Sequence, residues 1–422
     1  MTKQTITAAP NCDDDYDAAS LSCDEALRQI LERIQPVGET ATLPLRETLG
    51  RVLARAIVSP IDVPSHRNSA MDGYAVRTED LPAGGVRRLR VVGHSFAGRP
   101  YAGAVGPNEA VRIMTGAVVP PETNVVVMQE QVETDGDCIV IDNRHADGQN
   151  VRAAGEDIRE GATVLESGRV ISPADLGLIA SLGIGEVEVY RRVRVAFLST
   201  GDELRGVGEP LAAGEIYDSN RYTLYGMLTR LGIEIIDLGV VVDERDAVRA
   251  ALHEAANRAD VVISSGGVSV GEADYIKEIL REIGQVGFWK VAMKPGRPLA
   301  FGHINDAVFF GLPGNPVSVM VTFYQFVQPA LRKIMGAEPQ PAVLIKATAG
   351  NVLKKRPGRV EYQRGILTMG SDGQAVVHTE SDQGSGILSS MSNANCFVVL
   401  PMDSGRVAPG DPVDVQLFHG LM

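Results

Sequence analysis

From residue 194 to 283 short β-branched runs alternate with amphipathic helical patterns, and this alternation leaves few ways for the chain to fold. Strands are expected at 195–199, 233–241 and 260–264. The apolar sets Leu224/Met227/Leu228/Leu231, Val248/Ala251/Leu252/Ala255 and Ile276/Ile279/Leu280/Ile283 each follow i, i+3, i+4, i+7 spacing and mark three helices. Strands alternating with helices of this kind build a parallel sheet covered on both faces, and a ligand would bind beyond the carboxyl ends of its strands. The richest stretch lies at such ends, from Val261 to Ser318. There an apolar run opens into Ser264-Ser265-Gly266-Gly267, and Lys290, Lys294 and Arg297 place three cations within eight residues. Asn315-Pro316 reads as the cap and first residue of a further helix. Glycines that let backbone N–H groups approach, cations and a helix start together suit phosphate or another oxyanion. Gly266, Gly267 and Ser269 are therefore candidate binding residues.

The rest of the chain frames this layer. Residues 1–20 are polar and acidic and read as a disordered tail. Helical patterning starts at Ser22, with Glu25 three residues on as in a capping box, and a second short helix is expected over 46–53. Residues 63–154 change to short β-prone runs (89–92, 110–114, 125–132, 138–141) separated by Gly, Pro and Asp. Helical patterning returns at 173–182. We read 21–62 and 155–191 as one elongated helical domain interrupted by an inserted β-rich domain, 192–336 as an α/β domain, and 337–422, after a Pro-rich linker, as a small β-barrel or sandwich.

Composition narrows the function. A net charge of −13 argues against a nucleic-acid partner. No run of eighteen apolar residues and no signal-peptide order occurs, so no membrane partner and a cytoplasmic location are expected. Cys12, Cys23, Cys138 and Cys396 form no close pair and the seven histidines show no ligand spacing, so a metal would be held by oxygen, which points to magnesium rather than zinc. Asp72, Asp157, Glu203, Asp243 and Asp274 stand at element ends beside small residues. Singly each reads as a cap or a solvated charge; near three cations and a glycine loop they suit magnesium and a phosphorylated ligand. Gly267-Val-Ser269-Val-Gly271 fits the G-x-S-x-G elbow of hydrolases, with His303 and His378 as histidine candidates. The elbow needs a helix starting at its serine, whereas here the helix is expected to start at Asp274. Neither a dinucleotide fingerprint nor a P-loop is present.

Eight segments in the same order carry a family resemblance: NSAMDGYA (68–75), RIMTGA (112–117), GED (155–157), STGDEL (199–204), IYDSN (216–220), SSGGVSVG (264–271), KPGRP (294–298) and GLPGNPVS (311–318). From residue 21 to the end the chain resembles the molybdopterin molybdotransferases, bacterial relatives of the gephyrin E domain and of the plant molybdenum-insertion domain. The resemblance implies four domains: an elongated helical layer, an inserted β domain, a parallel-sheet molybdopterin-binding α/β domain and a C-terminal β-barrel. It implies a magnesium-dependent homodimer that takes adenylylated molybdopterin and molybdate, releases AMP and leaves molybdenum on the dithiolene. Carried over by motif, the catalytic positions are Asp72, Thr115, Asp157, Glu203, Asp243, Asp274, Lys290 and Lys294, with magnesium on Glu203, Asp243 and Asp274. Arg297, Pro298, Pro313 and Pro316 line the substrate loops, and Arg364 and Ser390 face the substrate from the last domain. His66-Arg67 departs from the family pattern. Because gephyrin-type domains also bind receptor tails, a non-catalytic scaffold is the second class of function; the clustered charged positions favour an enzyme.

Overall fold

A computed structural model describes residues 20–266, 275–371, 373–380 and 382–418. It divides into two compact units: one of residues 42–49 and 53–189, the other of the described residues up to 41, 50–52 and from 190 on. No described helix is long and apolar enough to cross a membrane.

The chain opens with α1 (Cys23–Glu32) of the larger unit. Ser22 caps it as expected, its hydroxyl accepting from the Glu25 backbone N–H at 3.1 Å. The reciprocal half of the capping box is absent: the Glu25 carboxylate pairs instead with Arg28 at 2.7 Å and with Gln29.

The smaller unit is built on a six-stranded sheet of β1 (Gly73–Val76), β2 (Val86–Ser95), β3 (Glu109–Ile113), β4 (Val125–Met128), β5 (Glu133–Asp135) and β6 (Cys138–Asp142), in the order β4-β1-β3-β2-β6-β5. Alternation along β1 and β4 sends Ala75 and Val126 to one apolar cluster and Val76, Val125 and Val127 to another, so the sheet is buried on both faces. A second core joins Leu53, Ile57, Leu165, Val187 and Val189 to Ile179 of α2 (Pro173–Ser181). The helix expected over 46–53 does not form. A 3-10 turn covers Leu45–Glu47, Gly50 takes φ 73°, and Leu53 bridges to Val189. A left-handed glycine and a buried strand-like leucine override the helical spacing.

In the larger unit β7 (Arg194–Thr200), α3 (Ser219–Arg230), β8 (Glu234–Val241), α4 (Arg245–Arg258), β9 (Val261–Ser265) and α5 (Tyr275–Ile283) follow the expected alternation. Then come β10 (Gly284–Lys290), β11 (Met293–Lys294), β12 (Pro298–Ile304), β13 (Ala307–Leu312), α6 (Pro316–Thr322) and α7 (Gln328–Ile334), the two helices joined by a π turn. The sheet order is β8-β7-β9-β13-β12-β10. It is parallel across β8, β7, β9 and β13 and is extended by β12, antiparallel to β13, and β10, antiparallel to β12. The continuous apolar run of β7 is explained by two cores. Val195 and Phe197 pack with Leu224 and Leu228 of α3 and Ala26 and Ile30 of α1, while Ala196 and Leu198 pack with Val248 and Leu252 of α4 and Ile279 of α5.

The same unit ends in β14 (Leu344–Ala349), β15 (Val360–Met369), β16 (Ala375–Thr379), α8 (Leu388–Asn393), β17 (Cys396–Leu400) and β18 (Pro412–Leu417). These strands run in the order β15-β16-β14-β18-β17, and β17 pairs back onto β15 to close a barrel. Short β11 adds to β15, which ties the barrel to the α/β layer. Tyr362, Met391 and Phe397 share the core of β7 and α3.

Candidate functional site

At the carboxyl ends of β7, β9 and β13 three loops converge. Gly266 N donates to Leu312 O at 3.1 Å, and Asn220 at the start of α3 donates from Nδ2 to Ser265 Oγ at 2.9 Å and to Gly314 O at 2.7 Å. Gly266 has φ 93°, and a Cβ there would lie 2.7 Å from Thr200 O, so only glycine suits the position. Among the described residues, the buried Ser199 Oγ, Ser264 Oγ and Asn220 Oδ1 find no hydrogen-bond partner. Buried polar atoms in that condition are exceptional in a folded protein and mark a place where a ligand or water completes the bonding.

The acidic side of this end is carried by the loops after β7 and β8. The Asp243 N–H donates to Asp202 Oδ1 at 3.4 Å. Partial burial, then the neighbouring Asp202 and Glu203 charges, raise the Asp243 carboxyl above its usual range. Crowded carboxylates of this kind suit a hard cation, and the oxygen donors present are those magnesium takes. Among the described residues, however, no three acidic, histidine or cysteine side chains are already arranged as a metal site. Asp274, expected to complete the set, lies outside the described residues, as do Gly267 and Ser269.

The cationic side is the connection between β10 and β12. Lys290 pairs with Pro298 at its base, and Ala300 pairs with Gly311, which places the loop at the end where β13 finishes. The loop is held by Val291 N to Arg297 O at 2.8 Å, and by Leu21 N to Lys290 O at 2.9 Å and Ala292 N to Leu21 O at 2.7 Å. Lys290, Lys294 and Arg297 thus share one short, braced loop. Nearby, buried Pro313 leads through exposed Gly314 and Asn315 into Pro316, the first residue of α6. Asn315 occupies the cap position, but its side chain makes no capping bond, contrary to expectation.

Arg364 and Ser390 do not present open groups to this end. Arg364 is 1% exposed, and its guanidinium donates to Ser390 Oγ at 2.9 Å and to the carbonyls of Asp382, Gln383 and Gly384. Its donors are largely committed, so it braces the 382–384 turn. The next residue of that turn, Ser385, accepts from Val317 N at the start of α6 at 3.1 Å.

In the smaller unit Asp72 and Thr115 meet. Asp72 directly precedes β1 and Thr115 lies just beyond β3, whose Ile113 pairs with Gly73. Asp72 Oδ1 accepts from both the Thr115 N–H and its hydroxyl at 2.7 Å, and these two bonds hold the carboxyl below its usual range. Asp157 stands on an exposed turn of the same unit, its backbone N–H bonded to Val63 O at 3.0 Å.

The hydrolase alternative loses its histidines. His303 pairs with Val308, which pairs with Val261, so it sits where the parallel strands begin, at the opposite end of the sheet from Gly266. It lines a cavity of about 460 Å³ whose wall also includes the Arg191–Asp260 ion pair. His378 is in the barrel, packed on Gly350.

Three family patterns match the chain: "MoeA N-terminal region (domain I and II)" over residues 21–183, "Probable molybdopterin binding domain" over 196–333 and "MoeA C-terminal region (domain IV)" over 346–418. A molybdopterin molybdenumtransferase of Haemophilus influenzae is 46% identical over 404 residues, 95% of this chain and 100% of the relative. The chain belongs to the molybdopterin molybdenumtransferase family. A Nostoc relative of the same name is 36% identical over 91% of this chain and 90% of its own. The crystal structure of the molybdopterin biosynthesis moeA protein from Pyrococcus horikoshii OT3 superposes with a TM-score of 0.83 at 32% identity, covering 94% of this chain and 100% of that one. The molybdopterin molybdenumtransferase family is one of transferases, and the segment matched as its molybdopterin-binding domain contains Gly266, the cationic loop and Pro313 to Pro316. Two residues at this end were not singled out from sequence. Asp202 stands beside Glu203 in the same STGDEL segment and carries no separate signal. Asn220 lies within IYDSN; a polar residue in the first turn of an amphipathic helix, two residues after its Asp218 cap, is the available signal.

Proposed function

We propose that this transferase moves molybdenum from molybdate onto adenylylated molybdopterin with magnesium-dependent release of AMP. The observation that carries the reading is the opposition, at one end of one sheet, of a three-cation loop and a crowded carboxylate group, with unpartnered buried polar atoms among the strand ends. Glu203 and Asp243, with Asp274, would hold the magnesium ion; when bound it would neutralise charge on the pyrophosphate of the adenylylated pterin. Lys294 and Arg297 bind the oxyanion and stabilise charge developing on the departing AMP. Gly266, Pro313 and Pro316 shape the loops against the pterin, and Lys290 and Pro298 fix the loop base. Arg364 acts by positioning, through the 382–385 turn and the start of α6. AMP release is measured with and without molybdate and magnesium; release that depends on neither overturns the proposal.

Asp72, Thr115 and Asp157 belong to the smaller unit and the remaining groups to the larger. We propose that they act together in a twofold homodimer, each site composed of the smaller unit of one protomer and the larger unit of its partner. The family resemblance supports this arrangement.

A further inference from the structure

The Asp72–Thr115 pair is held from behind by an arginine. Arg112 lies on β3 opposite Tyr74 of β1, and its guanidinium carbon sits 4.8 Å from the centre of the Tyr74 ring. Its Nη1 donates at 3.2 Å to Gly73 O, the carbonyl next after that of Asp72, and its Nη2 donates to Gln129 Oε1. Gln129 closes the circuit: its backbone N–H donates to Asp72 O at 3.1 Å. Arg112 thus ties β3, the start of β1 and the turn after β4 around one residue. Arginines of the neighbouring strand are spent otherwise. On β2, Arg88 pairs with Asp135 and Arg90 with Glu109. Arg112 is engaged by a carbonyl, an amide and a ring, with no carboxylate within ion-pair distance among the described residues. A guanidinium is a planar fork of fixed geometry, so this engagement sets position more than it balances charge. Both Thr115 bonds fall on Asp72 Oδ1, and Oδ2 receives none among the described residues, so Oδ2 is the oxygen left to meet a ligand. Its aim depends on the backbone at 72 and 73, which Gln129 and Arg112 hold.

We infer that Arg112 is a positioning residue for the reaction: it acts through Asp72, by fixing the 72–73 backbone so that the carboxylate stays on Thr115. The inference rests on the proposed function for the part Asp72 plays, not for the contacts that hold it. The test uses the full-length protein and two readouts. The first needs no reaction. Hydrogen exchange of the Thr115 amide, which donates to Asp72, should quicken by at least ~10-fold in Arg112→Ala, because the acceptor is no longer held in place. The second is AMP release. Its maximal rate should fall by at least ~10-fold in Arg112→Ala, the cost of a misplaced group. The molybdate concentration for half-maximal release should not change, because the Lys294 loop belongs to the other unit. Added to Asp72→Asn, Arg112→Ala should cost nothing further, since the residue acts only through Asp72. Unchanged Thr115 exchange in a folded Arg112→Ala variant overturns the inference. So does a loss of rate in the Asp72→Asn background as large as in wild type. Should Arg112→Ala not fold, Gln129→Ala, which removes the amide that grips the guanidinium, is judged by the same two outcomes. Full activity of Asp72→Asn, with Thr115 exchange still quickened by Arg112→Ala, removes the proposed part of Asp72 and leaves the positioning contact standing.

Discussion

Lys294 and Asp243 express the two electrostatic halves of the site, and each makes its own prediction. The Lys294 head is held on a braced loop whose Gly296 approaches α6 so closely that a Cβ would lie 2.7 Å from Thr322 Oγ1. Lys294→Ala removes a charge-assisted contact of roughly 1.5–3 kcal/mol, so the molybdate concentration needed for half-maximal AMP release should rise more than ~10-fold. Circular dichroism should stay unchanged; an unaltered molybdate requirement would show the lysine to be mere surface. Asp243 works in the opposite sense. Its folded pKa is raised, so the fold is favoured by its protonated form, and that contribution is lost as pH rises through the folded value. At pH 7 the ionised carboxylate therefore destabilises the metal-free protein. Asp243→Asn should raise the metal-free melting temperature at pH 7 while abolishing magnesium-dependent activity. The gain should fade as pH falls toward the unfolded value near 3.8. A variant less stable than wild type at pH 7 in the absence of metal would contradict this account.

Elements were legible in sequence where periodicity and burial agree. The alternation from β7 to α5 was readable because β7 and β9 are buried on two faces and each helix on one, which leaves continuous runs for strands and a 3.6 period for helices. The barrel strands, with turns at Gly373 and Gly410, were readable for the same reason. The antiparallel ladders of β12 and β10 were not: they are joined to the parallel part through Asn305-Asp306, a tight turn with Asn305 at φ 52° that lacks the glycine signal. The helix misplaced over 46–53 shows that spacing alone cannot weigh a left-handed Gly50. Of the site, the cations on one loop and the pairing of Asp72 with Thr115 follow from motifs at strand ends. The commitment of Arg364 to three carbonyls was invisible, because it depends on a turn eighteen to twenty residues away folding over its side chain. The strand ends also give a stability prediction. Gly266→Ala places a Cβ against Thr200 O at φ 93°, a strain of order 1–3 kcal/mol. Its urea midpoint should fall and AMP release should be lost; full activity would place the 266 backbone outside the site.

At the scale of the whole molecule, the residues proposed to act together are divided between two compact units. Asp72 and Thr115 form a self-contained hydrogen-bonded pair in one, and Asp243, Lys294 and Gly266 lie in the other. A twofold dimer joins such halves in two equivalent places. Complementation tests this directly. Thr115→Ala and Asp243→Asn are each expected to be inactive alone. In a mixed dimer with shared sites, one site carries both lesions and the other carries neither. Random re-assortment of equal amounts yields about half mixed dimers, and each of these retains one intact site, so roughly a quarter of wild-type AMP release should return. Size-exclusion chromatography with light scattering on the same samples reports whether a dimer is present to re-assort. If every site were instead built within a single chain, each site in the mixture would carry one lesion. Activity that stayed at the level of the separate variants, in a sample shown to contain mixed dimers, would exclude the shared site.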